Sequence, residues 1–220
     1  MLRAEEVTRR YVRREGEILA LNSVSLAVAA GEFLAITGPS GSGKSTLLLT
    51  LGGLIHPSAG KVYLDGECLY DLPRERRAAL RRQTIGFVFQ MFNLVPYLTA
   101  TENVQIPLYL NRLSPKAQRE KAERLLQQVG LGDRLDHKPS ELSVGQQQRV
   151  ALARTLANDP RLILADEPTG NLDPVLAREM LDQLADLHRQ GVTVVIVTHD
   201  PTMAARAERQ LRLVDGQVAA

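Results

Sequence analysis

The sequence has no long apolar stretch. Its longest hydrophobic runs are about five residues, against the roughly 20 needed for a helix to cross a bilayer. Its first 16 residues, MLRAEEVTRRYVRREG, lack the apolar centre of a secretory leader. It holds a single cysteine, Cys68, so no internal disulfide can form, which fits a reducing compartment. Charge of one sign is also scarce: 27 Lys and Arg against 25 Asp and Glu leave a formal net charge of +2. That balance gives no sign of a nucleic-acid binder driven by bulk charge. Apolar residues are plentiful, at 44% of the chain, with 24% charged and 4% aromatic. That composition excludes disordered, collagen-like and disulfide-scaffold classes. A length of 220 residues suits one large domain or a core with a smaller insert. The expectation is a soluble chain made inside the cell, whose membrane role, if any, comes through a partner.

Periodicity divides the chain into thirds. Polar and apolar residues alternate over 23–28 (SVSLAV), as in a half-buried strand. EFLAIT at 32–37 is nearly all apolar and reads as a strand buried on both faces. KVYL at 61–64 meets Asp65-Gly66, a hairpin signal, before Glu67, Cys68 and Leu69. A mixed sheet follows, with an antiparallel flap beside a parallel core. From Met91 to about Pro160 helical periods replace strand signals. Ser114 and Pro115 open a helix carrying Ala122, Leu125, Leu126 and Val129 that Gly130 stops. The last third alternates again: strand 162–165 (LILA), a helix opened by Asp173-Pro174 with Leu176, Met180, Leu184 and Leu187 on one stripe, and strand 193–198 (TVVIVT). Such alternation predicts a parallel sheet with helices on its faces. The arginines of 74–82 read as a solvated helix face.

GPSGSGKS at 38–45 matches the P-loop pattern, between a buried strand and a helical run at 46–51. The glycines Gly38, Gly41 and Gly43 let the backbone wrap so that N–H groups aim at phosphate oxygens, with Pro39, Ser40 and Ser42 between them. The helix N-terminus adds roughly half a positive charge. Lys44 is placed to neutralise the β- and γ-phosphates, and Ser45 to offer a hydroxyl to Mg²⁺. The pattern predicts binding of a nucleoside triphosphate. Asp166 and Glu167 stand where strand 162–165 ends, in the crevice where α/β proteins bind ligands. Asp166 is placed to hold Mg²⁺ through water, and Glu167 to accept a proton from attacking water. His199 follows the third buried strand and is a candidate γ-phosphate contact, whereas His56, His137 and His188 read as structural. Ser143 is an N-cap for a helix whose Ser- and Gly-bearing tip forms a second anion site or is an ordinary capped end.

Taken together, GPSGSGKST, FVFQ, LSVGQQQR, LILADEP, NLD and VTHD, in that order, resemble the ATP-binding subunit of ABC transporters, from Tyr11 to about Val214. The resemblance implies a P-loop NTPase (RecA-like) core with the antiparallel β flap, formed by 1–90 and 160–220, and a mostly helical subdomain at 91–159 carrying the signature. It implies ATP and Mg²⁺ as cofactors and a head-to-tail dimer of two copies around two ATP molecules. Tyr11 resembles the aromatic that stacks on adenine; the alternative is a tyrosine of the strand core. Lys44, Ser45 and Thr46 belong to the phosphate loop of one subunit. Ser143, Gly145 and Gln146 resemble the residues contacting the γ-phosphate held by the other, and Asp173 the D-loop aspartate across the same interface. Gln90 matches the Q-loop glutamine, a catalytic and Mg²⁺-contacting position. Val144 departs from the glycine usual there.

IGFVFQMFNLVPYLTATENV and DEPTGNLD are similar to the MacB/LolD-like group serving macrolide export, lipoprotein release and cell division. The implied partner is an integral membrane permease, with this chain peripheral on the inner face of the membrane and no nucleic acid involved. Phe92, Asn93 and Leu94 would report nucleotide state to it, unless Phe92 and Leu94 are ordinary core. The rival reading is a non-transport ATPase of cell-division or soluble type.

Overall fold

A computed structural model describes residues 1–13, 16–170 and 172–219; Asn171 of the NLD motif lies outside the described residues. In chain order the elements are β1 (Leu2–Arg13), β2 (Gly16–Val28), β3 (Phe33–Thr37), α1 (Lys44–Leu51), β4 (Ala59–Leu64), β5 (Glu67–Cys68), α2 (Arg74–Thr84) and β6 (Ile85–Phe89). Then come α3 (Ala100–Gln105), α4 (Pro115–Gln128), α5 (Val144–Leu156), β7 (Leu162–Asp166), α6 (Pro174–Arg189), β8 (Thr193–Val197), α7 (Pro201–Ala204), β9 (Arg209–Val214) and β10 (Gln217–Val218).

Two sheets form. One is antiparallel, in the order β2-β1-β4-β5; the other runs β10-β9-β3-β8-β7-β6. In the second sheet β9, β3, β8, β7 and β6 are parallel, and β10 closes one edge antiparallel. The near-continuous apolar strands are explained by cover on both faces. Leu34, Ile36, Leu162, Leu164, Val195 and Val197 point to one side, where they meet Leu47, Leu48 and Leu51 of α1 and the inner face of the antiparallel sheet. Their neighbours Phe33, Ala35, Ile163, Ala165, Val194 and Ile196 point to the other, against Met180, Leu181 and Leu184 of α6. Each such fully buried Leu, Ile or Val stabilises the fold by roughly 1.5–3 kcal/mol.

A third cluster joins α3, α4 and α5 through Ala100, Val104, Ala122, Leu126, Val150 and Ala153. Local capping defines these helices. Thr99 and Glu102 form a reciprocal capping box at α3, and Ser114 caps α4, with Pro115 in its first turn. Of the α2 arginines, Arg74 and Arg76 are exposed, as the charge run predicts, whereas Arg77, Arg81 and Arg82 are half-buried and Arg81 donates to the Gly53 carbonyl, so the helix is only in part a solvated face. Several elements lack a clear sequence signal, β1 and β9 among them. β1 carries a bulge, with Glu6 at φ 49° and register shifts on both sides, which breaks its alternation. β9 pairs with β3 in the six-stranded sheet yet contributes only two buried residues, Leu211 and Leu213.

Candidate nucleotide site

Because β3, β6, β7 and β8 are parallel, their carboxyl ends share one edge of the sheet. Every strand-end motif is therefore delivered to one crevice. β3 runs into the phosphate loop, β6 into Gln90, β7 ends on Asp166, and His199 follows β8.

The loop is built on left-handed glycines. Gly43 is the N-cap of α1 at φ 99°, and a Cβ there would stand 2.2 Å from the Ala20 carbonyl oxygen of β2. Gly38 has φ 147°, and its Cβ would meet the Leu213 carbonyl oxygen at 2.0 Å. The loop is thus pressed between β2 and β9, a spacing only glycine permits. The Lys44 side chain arches back over it, its ammonium donating to the carbonyls of Gly38 and Pro39, both at 2.9 Å. The Ser42 hydroxyl is buried there with no hydrogen-bond partner. A cleft of about 340 Å³ opens above, lined by Ser40, Gly41, Gly43, Lys44, Ser45 and Thr46, with Glu167 on one side and Ile18, Leu19 and Ala20 on the other. Backbone donors, one ammonium and an apolar wall suit a phosphorylated ligand with a flat apolar part.

The acidic side of the crevice is organised by three contacts. The Ser45 hydroxyl donates to Asp166 Oδ1 at 2.9 Å, closing α1 onto the end of β7. Burial pushes the Asp166 carboxyl above its usual value; the Ser45 hydrogen bond and the nearby Lys44 charge oppose this, and Glu167 adds to it. A hydroxyl and a carboxylate side by side form the hard oxygen donor pair that suits Mg²⁺. No cluster of three His, Cys, Asp or Glu occurs among the described residues, so further ligands would be water and phosphate oxygens. Glu167 follows with φ 45°, its N–H donating to the Val197 carbonyl at 2.9 Å. This left-handed turn swings the Glu167 side chain out of the strand line. His199 Nδ1 lies 2.9 Å from Glu167 Oε2, so the histidine approaches the carboxylate and stays largely exposed.

The other candidates stand apart. Gln90 lines a separate cleft with Met91, Phe92, Asn93, Leu94, Pro96, Pro139 and Gln147. It still adjoins the acids, because Phe89 pairs with Asp166 in the sheet and Gly170 lies against the Gln90 amide. Phe92 and Leu94 are half-buried, and Leu94 packs on the third core cluster. Ser143 and Gln146 form a reciprocal capping box at α5: the Ser143 hydroxyl accepts from the Gln146 N–H at 3.3 Å, and the Gln146 amide oxygen accepts from the Ser143 N–H at 2.9 Å. Gly145 packs against Leu176, while Val144 is 49% exposed at the tip. Asp173 caps α6 through the N–H groups of Val175 and Leu176. None of Ser143, Gly145, Gln146 or Asp173 lines the phosphate cleft of its own chain. Tyr11 is half-buried on β1, directly opposite Ile18, with the Arg9 guanidinium over its ring at 4.5 Å. Ile18, Leu19 and Ala20 carry no functional signal in the sequence: three consecutive apolar residues say nothing about which strand crosses the loop.

Comparison with known proteins agrees with this geometry. The family described as "ABC transporter" matches residues 21–170. The macrolide export ATP-binding/permease protein MacB of Marinobacter nauticus is 47% identical over 218 residues, covering 99% of this chain and 34% of the relative. The chain therefore spans about a third of the length of such relatives. An uncharacterized ABC transporter ATP-binding protein of Bacillus subtilis, YvrO, is 45% identical across 99% of this chain and 95% of its own. Among solved structures, the dimeric ATP-binding cassette MJ0796 in a post-hydrolysis state bound to ADP and Pi superposes with a TM-score of 0.91 at 45% identity, covering 100% of this chain and 97% of that one. This chain belongs to the ABC transporter family and has the fold of its ATP-binding cassettes.

Proposed function

We propose that this chain hydrolyses ATP as one half of a head-to-tail dimer and drives an integral membrane permease of the export or lipoprotein-release type. The observation that carries the reading is the grouping, at one sheet edge, of Lys44 over the phosphate loop, the Ser45–Asp166 pair, and Glu167 approached by His199.

In this reading the loop N–H groups and Lys44 bind the β- and γ-phosphates, and Tyr11 and Ile18 flank the base. Bound Mg²⁺, held by Ser45 and Asp166 with Gln90 nearby, would neutralise phosphate charge. Glu167 takes a proton from water as its oxygen bonds to the γ-phosphorus; the bond to the β-phosphate oxygen breaks, giving ADP and phosphate. His199 orients that carboxylate and reaches the γ-phosphate. The tip formed by Ser143, Gly145 and Gln146 does not line the cleft of its own chain, which suits a partner copy's γ-phosphate, with Asp173 at the same interface. No described helix is long and apolar enough to cross a membrane, so attachment to the inner face of the membrane would come through the permease. The MacB relatives named ATP-binding/permease proteins join both functions in one chain. The groove around Phe92, Asn93 and Leu94, next to α3 and α5, is where the permease would be felt.

The test is ATP turnover with Mg²⁺ by the purified chain and by Lys44→Ala. Removing the ammonium leaves the phosphate charge uncompensated, so activity is expected to fall to background. Turnover unchanged in Lys44→Ala would refute the site.

A further inference from the structure

The segment that carries Gln90 is fastened on both sides by the end of one helix. Upstream, the Thr155 hydroxyl of α5 lies 2.7 Å from the Phe87 carbonyl of β6 and 2.9 Å from the Ala151 carbonyl of its own helix, sharing one proton between the two acceptors. A Cβ on neighbouring Gly86 would meet the Thr155 methyl at 2.7 Å, so helix and strand are in close contact there. Downstream, the adjacent Arg154 spreads its fork over two consecutive carbonyls: one Nη donates to Asn93 at 2.7 Å and the other to Phe92 at 2.6 Å. Asn93 adopts φ 50°, which turns both carbonyls toward the guanidinium; asparagine accepts that conformation more readily than most residues. Burial alone lowers the Arg154 pKa, with no carboxylate contributing. This arginine spends its charge on backbone dipoles. The same helix, eleven residues earlier and roughly 16 Å away along its axis, begins at the Ser143 tip.

We propose that Arg154 is a positioning residue, a lever through which the orientation of α5 is passed to Gln90. When α5 rotates, it pivots where Thr155 holds Phe87, and the Arg154 fork draws Phe92 and Asn93 with it. Gln90, between the two attachment points, follows the signature tip. The inference rests on the roles proposed above for Gln90 and for Ser143, Gly145 and Gln146. It adds the link between them. Lysine could supply the charge but not two parallel donors, so Arg154→Lys separates the lever from mere electrostatics.

The experiment uses nitroxide pairs and pulsed electron paramagnetic resonance. Cys68 is the only cysteine, so Cys68→Ser gives a clean background. Labels go at Met91→Cys, which is exposed, and at Ser140→Cys, exposed on the turn that Gln147 fastens to α5 through the carbonyls of Pro139 and Leu142. Labelled chains are diluted with unlabelled ones to isolate distances within one chain. With Arg154 intact, the 91–140 distance is expected to be narrow and to keep its centre when ATP and Mg²⁺ are added to Glu167→Gln. In Arg154→Lys the distribution is expected to broaden about twofold, with kcat down on the order of tenfold and KM for ATP within twofold. A lysine variant with wild-type width and turnover would overturn the proposal. If that variant does not fold, a nucleotide-driven shift of the 91–140 distance in the Arg154 protein overturns it equally. The width needs no turnover, so a chain without ATPase activity would refute the proposed function while the lever is still decided by distance.

Discussion

Gly43 is a position where a single methyl group should damage the phosphate loop directly. Two costs can be separated there. At φ 99° an L-residue is in a region that glycine alone occupies freely, a backbone penalty of about 1–2 kcal/mol. The Cβ would also stand 2.2 Å from a backbone oxygen of β2, where ordinary contact begins at 3.4 Å. Loop and strand must part by about 1.2 Å, and overpacking of that kind adds about 1–3 kcal/mol. Gly41 is the internal control: it has φ 80° but nothing within 4 Å of its would-be Cβ, so Gly41→Ala bears only the first cost. Urea unfolding of both variants should place Gly43→Ala below Gly41→Ala by about 1–3 kcal/mol. Calorimetric titration with ATP should show Gly43→Ala losing affinity at least tenfold, because the displaced loop no longer aims its N–H groups together. Equal stability within about 0.5 kcal/mol and equal ATP affinity for the two variants would refute the reasoning.

Asp166 is costly to the fold by itself. Its folded pKa is raised, mainly by burial, so its contribution to stability is fully present below the unfolded value and is lost as pH rises through the folded one. Asp166→Asn should therefore melt higher than wild type at neutral pH, the gap closing toward pH 3, while Mg²⁺-dependent turnover collapses; a lower melting temperature at neutral pH would contradict the burial argument. His199→Ala removes the 2.9 Å contact to Glu167 and should lower kcat about 10²-fold with KM for ATP little changed, read by steady-state kinetics.

Much of this was legible from local pattern. The strands at 32–37, 162–165 and 193–198 announce themselves because cover on both faces demands unbroken apolar runs. The phosphate loop is legible for a related reason: close passage beneath the Ala20 and Leu213 carbonyls admits only glycine. What stayed hidden is long-range. The motifs put Ser45 and Asp166 at one Mg²⁺, but the direct hydrogen bond between these residues 121 positions apart is encoded by no local periodicity. β1 escaped notice because its bulge at Glu6 destroys the period of two. The wall formed by Ile18, Leu19 and Ala20 depends on which strand crosses the loop, a fact of topology. The Arg154 fork binds backbone carbonyls, and such acceptors leave no residue-type signature for a reader to find.

The central claim is that two copies close around ATP and that Glu167 then activates water. Glu167→Gln keeps the side chain's size and removes its basicity, so ATP should bind without being consumed. The direct measurement is the mass of that variant by light scattering during gel filtration, with saturating ATP and Mg²⁺ and with ATP consumption followed in parallel. The account predicts twice the 24.2 kDa of one chain and no ADP formed. A single-chain mass with ATP bound, or turnover at the wild-type rate, would contradict it.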